Sequence, residues 1–392
     1  MNKPSLLYAS PFPPKESGIS DYSVVLVKTL AEYFDITLYT DDYEITEDSL
    51  KKFPVLRHRR GKNDLSAFDY ILYNMGNNVD FHGYIYETLL EHPGTVILHD
   101  MVLYHFVRGF YKRLKNEYYT ALYERFGLEQ FLAVKEAIKE GRSSDMSFAS
   151  AHPMNMELLR SGCRIVVHSR YAEERILKTG LIGEKDLCRI NMIAQVEENE
   201  EQIPRDLLYS RYRIPQDAKV ICSFGYIMQT KHNLEVCRAV KKLAKKTGRK
   251  LCYVMVGQGE YANSEVDGKT VIKTGFTELA EFNSFIRHAD LIVNLRYPSL
   301  GETSAAMLRI LQLGKPCITN NGGWFSEIPD DVVKKVEISH LERNLEKALE
   351  ELLLAPEKAG QLGARAAKYI EDEYSGKTIA SKLYEFITGG QS

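Results

Sequence analysis

The stretch LIVNLRYPSLGETSAAMLRILQLGKPCITNNGGWFSE, residues 291–327, joins an apolar run, a helix start and a glycine stop in one short unit. Leu291–Leu295 has the length and composition of a buried strand. Thr303 and Ser304 stand where a helix opens, ahead of AAMLRILQLG, and Gly314 marks its end. A helix N-terminus carries unpaired N–H groups and a partial positive charge, so an anion beside Thr303 and Ser304 would be stabilised there. The same pattern also serves as an ordinary capping turn of a strand–helix–strand unit.

The rest of the chain repeats this alternation. Strands are expected at Ser5–Ala9, Asp35–Thr40, Tyr70–Asn74, Thr95–His99 and Arg164–His168. A second series falls at Lys219–Gly225, Leu251–Val256, Thr270–Thr274, Leu291–Leu295 and Pro316–Thr319. Helical spacing separates them, as in Ser20–Phe34 and in a long aromatic and charged region, Tyr104–Gly141. This is the pattern of α/β units with parallel sheets. The polar run EENEEQIPRD, Glu197–Asp206, lacks apolar periodicity and is the expected linker. The tail from Lys368 to Ile387 reads as a helix kinked at Gly376.

At 392 residues the chain is longer than one core usually serves, so two domains are expected. Lys plus Arg number 51 against 53 Asp plus Glu, which argues against nucleic acid as the main partner. Six cysteines form neither a CxxC pair nor a Cys/His cluster and read as reduced core residues. MNKPS leads directly into the first strand, and no apolar run approaches a membrane span, so the sequence predicts a cytoplasmic protein.

Two further loops follow the logic of the first. In PFPPKESGISDYS, residues 11–23, Gly18 lies at a strand-to-helix turn where a missing Cβ lets a ligand approach, with Ser20 or Asp21 as the expected cap; a merely structural turn fits as well. In CSFGYIMQTKHNLE, residues 222–235, a strand ends at Gly225 and Lys231 follows six residues later, placed to reach phosphate oxygens or to be solvated. Gly257-Gln258-Gly259 resembles half of a dinucleotide fingerprint without its third glycine. His99, next to Asp100 at a strand end, is a catalytic or a positional residue, and His168 reads as structural. HFVRGFYKRLKNEYY, residues 105–119, mixes aromatic and basic residues as an ordinary amphipathic helix does, and as a segment touching anionic lipid does.

In order and spacing these pieces resemble the retaining nucleotide-sugar glycosyltransferases of glycosyltransferase family 4, which have the GT-B fold. The resemblance rests on PPxxSGIxDYS, YNMGNNVDFHGYIYETLLEHPGTVILHD, VVHSRY, FGYIMQTK, VMVGQGE, TGF and the RYPxxGETS segment. It implies two Rossmann-like domains with parallel sheets facing a cleft: an acceptor-side domain over 1–200, a nucleotide-sugar domain over 201–367, and a C-terminal helix over 368–392 crossing back to the first. It implies a UDP or GDP sugar as donor, a glycan or lipid-linked acceptor and no cofactor or metal. The absence of an Asp-x-Asp element agrees with the last point. Peripheral contact with the inner face of the membrane occurs in some members.

By position, the resemblance places Gly18 at the donor diphosphate, His99 near the transferred sugar and Lys231 on the diphosphate, with Thr303 and Ser304 at the phosphate-facing helix start. Gly225, Tyr226, Gly257 and Phe276 fall among the nucleotide-sugar-binding positions, and Lys231, Glu302 and His99 among the catalytic ones. This chain departs from the family in two places. Tyr226 stands where an arginine is usual, and the usual pair of glutamates falls on Gly301 and Arg309. Glu302 and Arg309 are seven residues apart, within about 20° on one helix face. On that reading Arg309 restores the charge missing at 226 and Glu302 contacts the donor sugar; alternatively both are solvated surface charges. The alternatives to a transferase are a nucleotide-sugar epimerase and a non-catalytic member binding a nucleotide or a partner.

Overall fold

A computed structural model describes residues 3–194, 196 and 201–389. Part of the expected linker, residues 197–200, lies outside the described residues. The chain divides into two compact units. The first takes the described residues of Met1–Ile193, Leu300–Thr303 and Ser375–Ser392, and the second those of Ala194–Ser299 and Ser304–Tyr374.

The first unit runs β1 (Ser5–Ala9), α1 (Gly18–Leu30), β2 (Asp35–Thr40), β3 (Val55–Arg57), β4 (Tyr70–Met75), α2 (Val79–Glu91) and β5 (Thr95–Leu98). It continues through α3 (Tyr104–Lys112), α4 (Tyr118–Lys139), α5 (Met146–Ala151), α6 (Met156–Leu159), β6 (Arg164–Val167), α7 (Arg170–Leu177) and β7 (Leu187–Arg189). The seven strands are parallel in the order β3-β2-β1-β4-β5-β6-β7. Leu6, Leu7, Leu72, Tyr73, Val96, Ile97, Ile165 and Val166 are fully buried, because helices cover both faces of a parallel sheet. The order reverses between β1 and β4, and crevices at the carboxyl ends of strands beside such a reversal are where α/β folds bind ligands.

The second unit comprises α8 (Arg205–Arg211), β8 (Lys219–Phe224), α9 (Asn233–Thr247), β9 (Leu251–Val256), β10 (Val271–Gly275), α10 (Leu279–His288) and β11 (Leu291–Val293). Then come α11 (Ala305–Gln312), β12 (Cys317–Asn320), β13 (Lys334–Val336), α12 (Leu341–Leu354) and α13 (Pro356–Glu373). Its six parallel strands follow the order β10-β9-β8-β11-β12-β13. Its core gathers Ile221, Val240, Leu243, Tyr253, Met255, Ile318, Leu345 and Leu349.

Each of the ten expected strands is present, to within one or two residues at its ends. The three that sequence missed, β3, β7 and β13, are three-residue edge strands too short to show a pattern. The long helical region is divided into α3 and α4, and α4 itself breaks at Gly127, whose φ of 84° is not helical. The expected tail helix is likewise two elements: α13 stops before Tyr374-Ser375, and Gly376 opens α14 (Gly376–Thr388) instead of kinking a single helix. A Cβ at Gly376 would lie 3.0 Å from Ile193 Cδ1, so glycine suits that close approach. Tyr384 on α14 packs against Tyr33 and Phe34 at ring separations of 5.4 and 5.2 Å. The Arg164 guanidinium lies 4.0 Å over the Phe386 ring and donates to the Phe386 carbonyl. The six cysteines are free thiols, five of them buried.

Candidate functional site

In the second unit the loop after β8 is built around one lysine. Gly225 has φ of 83°, a left-handed conformation natural only to glycine, and it turns the chain into a single 3-10 turn, Gln229–Lys231. Lys231 folds back over the strand end, and its Nζ donates to the Phe224 carbonyl at 2.6 Å. A Cβ on Gly225 would stand 2.7 Å from that nitrogen. The missing side chain therefore makes room for an ammonium at the carboxyl end of the sheet.

Gly257 and Gly259, which resemble half of a dinucleotide fingerprint, have a packing reason to be glycine. Their φ angles are 152° and 133°, and a Cβ on either would come 2.2 Å from a carbonyl oxygen, of Gly225 and of Ile227 respectively. The two loops are zipped by Gly225 N–H to Val256 O at 2.9 Å and Ile227 N–H to Gln258 O at 2.7 Å. The three large aromatic side chains exposed in this unit among the described residues, Tyr226 at 58 %, Phe276 at 49 % and Tyr297 at 51 %, all follow carboxyl ends of its strands.

The helix after β11 opens at Ala305, with Ser304 as N-cap: its extended backbone lets Oγ accept from Met307 N–H at 3.2 Å. Ser304 Oγ is thus committed to the cap. The expectation that Glu302 and Arg309 share a helix face fails, since Glu302 precedes the helix. Arg309 is only 4 % exposed, so the alternative of a solvated surface charge fails for it too. Gly314, with φ of 65°, ends the helix as expected, Lys315 N–H reaching Ile310 O at 3.1 Å.

In the first unit, the loop Leu300–Thr303 is pinned to the residues just after β5. Val102 N–H donates to Leu300 O at 3.1 Å, and Glu302 Oε2 accepts from Leu300 N–H at 2.6 Å. Gly301 has φ of 83°, and a Cβ there would meet Met101 Cβ at 2.5 Å. Any side chain at 301 would therefore collide with Met101. Thr303 Oγ1 is buried without a hydrogen-bond partner.

Gly18 is the first residue of α1, and the cap is Ser17 rather than Ser20 or Asp21. Ser17 Oγ accepts from Ser20 N–H at 3.1 Å, which serine does in the extended conformation it holds one residue before the helix. His99 follows β5 and is 7 % exposed, its Nε2 3.1 Å from Asn74 Oδ1. Asn74 Nδ2 donates to Ala9 O at 3.4 Å, which turns Oδ1 towards His99 and makes His99 Nε2 the donor. Burial, with His168 and His82 nearby, holds the His99 imidazole well below its ordinary pKa. It is a neutral hydrogen-bonding group near pH 7. Tyr22 and His168 complete a ring cluster with it, at 4.9 Å from Tyr22 and 5.1 Å from His168. Sequence reasoning missed Tyr22 and His82; only the fold brings them to the same sheet edge.

Among the described residues no group of three or more His, Cys, Asp or Glu side chains is placed to hold a metal ion, and no helix is long and apolar enough to cross a membrane.

The two parallel sheets and their flanking helices make the GT-B fold. Solved structures to which the chain is similar over 98 % of its length include the following three. These are the HepE protein of Anabaena in complex with UDP and glucose (11 % identity, 100 % of that chain, TM-score 0.67) and WaaG, a glycosyltransferase involved in lipopolysaccharide biosynthesis (13 %, 100 %, 0.62). The third is sucrose-phosphate synthase from Thermosynechococcus elongatus (13 %, 98 %, 0.63). No family model matches the chain, and no curated protein sequence matches it.

Proposed function

We propose that this protein is a nucleotide-sugar-dependent glycosyltransferase that retains anomeric configuration and acts without a metal. The observation that carries this reading is the Lys231 ammonium held over the carboxyl end of β8 by the Gly225 turn. A fixed cation there stabilises the charge that grows on a departing diphosphate, which is electrostatic preorganisation. The N-terminus of α11, capped by Ser304, adds backbone N–H groups and a partial positive charge on the same sheet edge. Gly225, Tyr226, Gly257, Phe276 and Arg309 belong to the same donor-side proposal, with Gly18, His99, Glu302 and Thr303 on the acceptor-side unit. HepE was crystallised with UDP and glucose, which supports a UDP sugar as the first donor to test.

A glycan or lipid-linked acceptor fits a second feature. Five large apolar side chains, Leu114, Tyr119, Tyr123, Leu128 and Leu132, are 41–57 % exposed within one segment that also carries exposed Lys112, Arg113 and Lys115. Such a surface suits the headgroup region of an anionic membrane.

The deciding experiment incubates the protein with UDP-glucose or GDP-mannose and follows free nucleotide, with and without EDTA. Release of nucleoside diphosphate that persists under chelation supports the proposal; an isomerised nucleotide sugar, or binding without turnover, overturns it.

A further inference from the structure

Tyr22 and His168 meet in the first unit with their rings 5.7 Å apart, at 0 % and 5 % exposure. His168 Nδ1 is 2.8 Å from the Ile190 carbonyl oxygen, which can only accept, so Nδ1 bears the hydrogen and Nε2 presents a bare lone pair. Neither that Nε2 nor the Tyr22 hydroxyl has a hydrogen-bond partner, and they do not bond to each other. Ser20 Oγ and His82 Nε2, at 0 % and 1 % exposure, are also unpartnered. His82 Nδ1 lies 2.9 Å from the Asn78 carbonyl, so its Nε2 is a second bare acceptor.

Ser20 and Tyr22 lie in α1 after β1 and His82 in α2 after β4, the two strands between which the order reverses, and His168 follows β6, two strands beyond β4. Buried polar atoms left unpaired cost free energy, so the neighbouring Tyr22 hydroxyl and His168 Nε2 call for a partner from outside the chain. A carboxylate or phosphate oxygen would face lone pairs it cannot satisfy, and an ammonium cannot accept from tyrosine. One hydroxyl group can do both.

We propose that Tyr22 and His168 form a recognition pair for a sugar hydroxyl, which accepts from the Tyr22 O–H and donates to His168 Nε2. The pair specifies a neutral group that both accepts and donates, as a sugar hydroxyl does. Burial keeps His168 neutral, with its pKa lowered to about 4, so Nε2 remains an acceptor near pH 7. The proposal rests on the glycosyl-transfer reading for the identity of the ligand, and its chemistry admits two sources: the sugar of the nucleotide sugar or a sugar of the acceptor.

The test is calorimetric binding, which needs no turnover. UDP, UDP-glucose with its monodeoxy analogues, and methyl glucosides with theirs are titrated into wild type, Tyr22→Phe and His168→Asn. Asparagine keeps a donor for Ile190 O and lacks the Nε2 acceptor. Tyr22→Phe should melt where wild type does, because the hydroxyl it removes makes no bond within the protein. Wild type should lose about tenfold in affinity when one particular hydroxyl is missing, and both variants should bind the intact sugar about tenfold more weakly and no longer tell the two apart. An effect confined to the UDP series assigns the hydroxyl to the transferred sugar, and one confined to the glucosides assigns it to the acceptor. Unchanged discrimination in folded variants leaves the pair to bound water and overturns the proposal. Failure of wild type to bind UDP refutes the nucleotide-sugar reading alone, while the glucoside series still decides the pair.

Discussion

Lys231 Nζ and the vacant Cβ position of Gly225 are 2.7 Å apart, so each residue dictates the other. Two substitutions separate charge from space. Lys231→Ala removes the cation from a loop that contributes little to the core, and should lower turnover about 10²–10³-fold with little change in melting temperature. Gly225→Ala keeps the cation, yet places a Cβ at positive φ against it, costing roughly 1–2 kcal/mol and displacing the amine. Steady-state kinetics beside thermal melts check both; near-normal turnover in folded Lys231→Ala removes the assigned role.

Gly301 should resist a carboxylate side chain. With φ of 83° and Met101 Cβ 2.5 Å from where a new Cβ would stand, Gly301→Ala should already destabilise the loop by about 1–3 kcal/mol. Gly301→Glu should be worse and should not raise donor affinity. Urea denaturation of both variants checks this, and a neutral effect of Gly301→Ala contradicts the assigned clash.

Acid should weaken the first unit through its buried imidazoles. Burial lowers His82 and His168 from 6.5 to about 4 in the folded chain. Below 6.5 the unfolded chain therefore takes up protons that the folded one refuses, and stability is lost as pH falls from about 6.5 towards about 4; above that range these groups contribute no slope. At about pH 5 the loss is on the order of 2 kcal/mol for each histidine. Denaturation midpoints at about pH 7.5 and pH 5 should converge partly in His82→Asn, and an equally steep fall in that variant rules out His82 as a contributor.

Sequence carried the architecture because a buried parallel strand is a largely apolar run, and such runs marked Leu251–Val256 and Lys219–Gly225, the latter observed as Lys219–Phe224, without help from neighbours. Edge strands such as Val55–Arg57 are half exposed and three residues long, so local pattern has nothing to register. The donor-side loop was legible as a glycine followed by a lysine, but the reason for Gly257 and Gly259 was not. Their reason is a carbonyl 30 or more residues away in sequence, brought close only by β8 pairing with β9. The partnership of Tyr22 with His168 is non-local in the same way.

Arg309 offers the sharpest separation between a structural and a functional role. It sits inside α11 at 4 % exposure, whereas Tyr226, at the position where the glycosyltransferases this sequence resembles carry arginine, is 58 % exposed. If the guanidinium supplies the charge that Tyr226 lacks, Arg309→Met, which keeps much of the apolar bulk, should weaken UDP binding. Tyr226→Arg should then recover part of the loss, with a coupling of about 0.5–3 kcal/mol between the sites. A purely structural Arg309 behaves differently: its replacement changes the melting temperature, UDP affinity of the folded fraction stays the same, and the two substitutions add. Calorimetric titration of UDP into the four proteins of this cycle, each with its melting curve, distinguishes the outcomes, and strict additivity discards charge replacement.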